Sequence, residues 1–118
     1  WQRWWPQIRD QVDSLYFDVG LGEGGVVPRG APAHYAKMWT FNTQLRADAL
    51  LVTAAGLRLT EIRFVASPNA VGRLLAYDFL WKKDPVITGT IELVLVTNVR
   101  DQIVAELCKT LTITYIVT

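Results

Sequence analysis

Gly20, Gly22 and Gly25 stand at the G-x-G-x-x-G spacing that lets a backbone close on a pyrophosphate. That chemistry needs a strand leading into the glycines and a helix opening after them, so that the helix N-terminus meets the anion. Here a helix-like stretch comes first and "VVPRGAP" follows, so the glycines read as a loop and no dinucleotide site is expected. His34 is the only histidine. Its same-side neighbours along an extended chain, Ala36 and Met38, offer no metal ligand and no partner for a general base. Cys108 is the only cysteine, which excludes an intrachain disulfide and a multi-cysteine metal site. Predicted to lie within a strand, it reads as a buried, inert thiol. Asp48, Glu61, Asp78, Glu92 and Glu106 could meet in space as acid–base pairs, but no spacing selects two of them. Glu92 and Glu106 fall on two arms of a predicted hairpin, where pairing with Lys or Arg is the ordinary role. No catalytic residue, metal or cofactor is therefore expected.

The aromatics say more. Trp1, Trp4 and Trp5 cannot all face inward from one helix, because neighbouring positions diverge by about 100°. At least one is expected to meet solvent or a partner, and Trp is enriched at interface hot spots. Hydrophobic residues make up 51% of the 118 positions, enough for one domain spanning 1–118 and for an oligomer interface besides. They are dispersed, and no run approaches the roughly 20 residues that span a bilayer. Net charge is +1, with acidic and basic residues interspersed, which argues against a basic nucleic-acid face and a polybasic membrane anchor. No partner reading nucleic-acid sequence and no membrane partner is expected.

These residues need elements to hold them. Pro6 and the stripe Trp5, Ile8, Val12, Leu15, Tyr16 predict a helix over 4–17. A Gly/Pro loop follows over 18–32, with five of the eight glycines. Alternation predicts strands over 33–42, about 46–54 with a turn at Gly56, and 57–67. The stretch 68–83 reads in twos as a strand and in threes and fours as a helix. Its punctuation decides for the helix: Ser67 as N-cap, Pro68 in the first turn, Lys82 and Lys83 at the end, and Pro85 beyond. The segments 86–97 and 102–118 alternate and are β-branched, predicting a long C-terminal hairpin around "NVRDQ". The expected fold is α+β: an N-terminal helix, an antiparallel sheet of about five strands, and a second helix packed on it.

With that helix in place, the layout resembles the tail terminator proteins of long-tailed phages, the minor tail protein U type. The N-terminal helix, the "GAP" opening into "AHYAKMWTF", the strand "LRLTEIRFVASP" running into a helix, and the closing "KTLTITYIVT" carry the likeness. The resemblance implies a non-enzymatic ring of six copies that caps the tail tube and docks the head-side connector. It would assemble in the host cytoplasm and reside in the virion. A closed ring needs two different patches per subunit; the candidate interaction residues are Trp1, Trp4, Trp5, Arg29 and Trp39. A rival reading is a cone-shaped α+β protein of the nuclear-transport-factor-2 kind. That reading implies a ligand binder, isomerase or hydrolase with a closed apolar pocket holding one or two carboxylates.

Overall fold

Val12 to Leu21 is the first strand, β1, of a five-stranded mixed sheet in the computed structural model, which describes residues 1–22, 29–34, 36–37, 44–85 and 87–118. The other strands are β2 (Leu45–Thr53), β3 (Gly56–Ile62), β4 (Ile91–Thr97) and β5 (Thr114–Val117), in that spatial order. β1, β2 and β3 form an antiparallel meander, whereas β3, β4 and β5 are parallel. Parallel neighbours need crossovers of a dozen residues or more. The helix α2 (Pro68–Lys83) supplies the first and α3 (Gln102–Thr110) the second, after a short α1 (Trp5–Ile8).

The chain is α+β, as expected, and α2 falls on the predicted 68–83. Pro68 sits in its first turn and Lys82 and Lys83 in its last, but Ser67 makes no side-chain capping bond. Five other expectations are corrected. The helix over 4–17 ends early: α1 and a 3-10 turn at Arg9–Gln11 give way to β1, where β-branched and aromatic residues pair with β2. The sheet is mixed rather than antiparallel. The predicted 86–97 arm begins only at Ile91. The long C-terminal hairpin is absent, because 102–110 is helical: the Asp101 carboxylate accepts from the Val104 N–H at 2.9 Å, and Val104 and Cys108 bury one face. Of the predicted strand 33–42, residues 33, 34, 36 and 37 are helical; the remainder, with 23–28 of the predicted loop, lies outside the described residues.

α2 and α3 cover one face of the sheet. Val71, Leu74, Tyr77 and Trp81 of α2 and Val104 and Cys108 of α3 pack on Leu57, Leu59, Leu93 and Leu95. The other face is covered by the N-terminal segment, whose Trp4 and Ile8 pack on Ala49, Leu51, Val94 and Val96. β4 therefore buries both its faces and reads "IELVLVT", a near-continuous apolar run typical of a central parallel strand. The turn from β2 to β3 requires its glycine: Gly56 has φ +136, and a Cβ there would lie 3.0 Å from the Thr90 carbonyl oxygen.

Candidate functional site

The β2–β3 ladder brings two of the five candidate carboxylates together. Ala49 lies opposite Thr60, and one step further Asp48 and Glu61 face each other on the side covered by α2. Asp48 also takes over the ladder at this point, its Oδ2 accepting the Ile62 N–H at 2.8 Å. Glu61 is only 1% exposed. A buried carboxylate is costly unless it is satisfied, and α2 supplies the partners one helical turn apart. Arg73 Nε donates to Glu61 Oε2 at 3.0 Å, and the Tyr77 hydroxyl lies 2.8 Å from the same oxygen. Tyr77 also reaches the Arg46 carbonyl oxygen at 2.8 Å, and the Arg73 guanidinium sits 5.5 Å over the Tyr77 ring. From the chain just past β3, Arg63 Nη2 stands 3.6 Å from Glu61 Oε1.

The electrostatics follow from this crowding. Burial pushes the Glu61 carboxyl up to about 7, and the hydrogen bond and negative charge of Asp48 push the same way, against the donors Tyr77 and Arg73. Burial and the neighbouring Glu61 likewise raise the Tyr77 phenol. Burial thus brings the Glu61 carboxyl to titrate near neutrality.

Beside the pair lies an open cavity of about 740 Å³. Its wall includes Arg63, Arg73, Ser67, Asn69 and Gly72. It sits where β3 ends and α2 begins, outside the carboxyl end of a parallel strand, the usual ligand position in such sheets. Two guanidinium groups and the first turn of a 16-residue helix without a side-chain cap face into it. That combination attracts anions, and phosphate oxygens in particular.

The other three carboxylates have structural roles. Glu92 pairs with Arg58 at 3.1 Å and accepts from the Thr114 hydroxyl. Asp78 pairs with Lys82 at 2.9 Å on the outside of α2. Glu106 accepts from Gln102 on α3. Among the described residues no group of three or more His, Cys, Asp or Glu side chains could hold a metal ion. Cys108 is buried in α3, not a strand, and burial raises its thiol pKa. His34 and Arg29 are exposed. Of the tryptophans, Trp4 is buried at 1% exposure, so it presents no surface. Trp1 stacks on Trp5 at 5.2 Å and meets Phe17 edge-on. Trp39 and Gly25 lie outside the described residues. The structure thus selects Asp48, Glu61, Arg63, Arg73 and Tyr77, which sequence reasoning left unselected. The available signal was register: five residues back from Thr53 and five on from its partner Gly56 arrive at Asp48 and Glu61.

No protein family, no curated protein and no solved structure matches the chain. No helix among the described residues is long and apolar enough to cross a membrane.

Proposed function

We propose that the chain binds the phosphate groups of nucleic-acid strands at the cavity where β3 ends and α2 begins. The observation that carries this is the placing of Arg63, Arg73 and the first turn of α2 on one cavity wall. Arg63 and Arg73 would hold the phosphate through their N–H groups, with the buried Glu61 fixing the Arg73 side chain from behind. The cavity is open rather than enclosed, which suits a chain passing through better than a small ligand. It differs from the closed apolar pocket implied by the cone-shaped rival.

The test is binding of fluorescent single- and double-stranded oligonucleotides, followed by anisotropy. Arg63→Gln is expected to weaken binding about tenfold while keeping the wild-type circular dichroism spectrum. No binding by the wild-type chain, or binding that Arg63→Gln leaves unchanged, would sink the reading.

A second reading, the ring-forming tail-completion part, is favoured by a different feature. β1 is a ten-residue edge strand carrying exposed Tyr16 and Phe17, at 49% and 58%. Such an edge can be covered by a neighbouring copy. Mass in solution tests it: a hexamer supports it, and a monomer at high concentration counts against it.

A further inference from the structure

Glu61 stands behind the phosphate-binding wall without opening into the cavity. Its side chain is 1% exposed, whereas that of Arg73, which bonds it at 3.0 Å, is 38% exposed and forms part of the wall. Arg63 also belongs to both places, lining the cavity and standing 3.6 Å from Glu61 Oε1. The two guanidinium groups offered to a phosphate therefore share one carboxyl. Ionised, that carboxyl offsets one of their two charges and repels an anion bound beside them; protonated, it does neither. The geometry can persist in both states. A neutral carboxyl still accepts the Arg73 Nε–H, and Arg73 keeps its second bond, 3.3 Å from Nη2 to the Arg46 carbonyl oxygen.

Building on the reading of this cavity as a phosphate site, we infer that Glu61 regulates it through its proton: the site takes phosphate tightly when Glu61 is protonated and weakly when it is ionised, so that phosphate and proton bind together. Among the described residues, the charged and titratable groups facing Glu61 come from three places. β2 contributes Asp48, α2 contributes Arg73 and Tyr77, and the chain past β3 contributes Arg63. The partner of Glu61 on β4 is the uncharged Leu95. Burial and Asp48 favour the proton, Tyr77 and Arg73 oppose it, and the balance stands at about 7. An anion in the cavity adds negative charge near Glu61 and draws on the guanidinium groups that stabilise its ionised form, so it raises that value further. By linkage, phosphate affinity then falls as pH rises from about 7 towards the bound-state value, and levels off on either side. A salt bridge with a purely structural role produces no such coupling.

The experiment follows the anisotropy of a fluorescent single-stranded oligonucleotide without terminal phosphates, whose diesters stay ionised throughout, from about pH 5 to about pH 9 at constant ionic strength. Wild type is expected to bind about tenfold more tightly at about pH 6 than at about pH 9, the effect of one unit of linked pKa. Glu61→Gln is neutral at every pH. It should bind within about twofold of the same affinity across the range and, at about pH 9, about tenfold more tightly than wild type. Asp48→Asn keeps an acceptor for the Ile62 N–H but removes a charge that favours the proton, so its fall in affinity should come at lower pH than in wild type. That variant carries the test should Glu61→Gln fail to fold. Binding that Arg63→Gln weakens but that does not change with pH in wild type overturns the regulation and leaves the phosphate site standing. So does a pH dependence that Glu61→Gln retains or that Asp48→Asn does not displace downwards. If wild type binds at no pH, both readings fall.

Discussion

Glu61 is the residue on which stability and chemistry meet. Its carboxyl, raised to about 7 chiefly by burial, holds a proton in the folded chain that the unfolded chain releases near 4.5. Between those values the folded state binds more protons, so stability falls as pH rises. The stabilisation is fully present below about pH 4.5 and is lost by pH 7. The shift converts to on the order of 3 kcal/mol at most, since each pH unit is worth about 1.4 kcal/mol. Urea unfolding in EDTA should show this slope for wild type, and Glu61→Gln, which stays neutral throughout, should lack it and be the more stable form at pH 8. Equal slopes in the two proteins would mean that Glu61 ionises normally. The residues of this site were all visible as types in the sequence, but eleven acidic and twelve basic residues offer many pairs. What picks Asp48 and Glu61 is strand register, and what picks Arg73 and Tyr77 is the face of a helix docked on that register. Neither is a local property.

At the scale of elements, punctuation proved more reliable than period. The stretch 68–83 fits both periods, and Pro68, Lys82, Lys83 and Pro85 resolved it. The same logic applied to "RDQIVAELCK" points to a helix, since Asp101 is a strong N-cap and Val104 and Cys108 stand four apart. β-branched residues on either side drew the eye to alternation instead. Residues 12–16 carried a true apolar stripe, and Val12 and Leu15 do pack with Trp5 and Ile8, but from a strand rather than a longer helix. Tertiary pairing with β2 overrode that period. The caps predict energetics as well as boundaries. Asp101→Ala removes the bond to the Val104 N–H and should cost about 1 kcal/mol. Gly72→Ala should do the reverse in α2: its added Cβ meets nothing within 4 Å, and the helix gains up to about 1 kcal/mol from alanine's propensity. Denaturant midpoints moving in opposite directions would bear this out; a destabilised Gly72→Ala would show that the cavity wall at this point does not tolerate a methyl group.

For the whole molecule, the instructive quantity is where the charges go. A net charge of +1 with interspersed signs argues against a basic face when read along the chain. Folding rearranges that average. Arg58 is spent on Glu92 and Lys82 on Asp78, away from the carboxyl end of the sheet. Arg63 and Arg73 are gathered at one cavity, and both pair with the buried Glu61 behind it. That wall carries two guanidinium groups and no carboxylate, although the molecule as a whole is close to neutral. This has a measurable consequence. Each phosphate neutralised by a guanidinium releases condensed counter-ions, lowering the slope of log affinity against log salt by about 0.7 for a single strand and about 0.9 for a duplex. Two arginines predict a shallow slope of about −1.4 for a single strand and about −1.8 for a duplex, in contrast to the steep dependence of a protein with an extended basic groove. Arg63→Gln should make it shallower by about one phosphate's worth and weaken binding similarly for every sequence tested, because a phosphate contact carries no base information. A slope that Arg63→Gln leaves unchanged would place the nucleic acid elsewhere on the molecule and remove the cavity from its path.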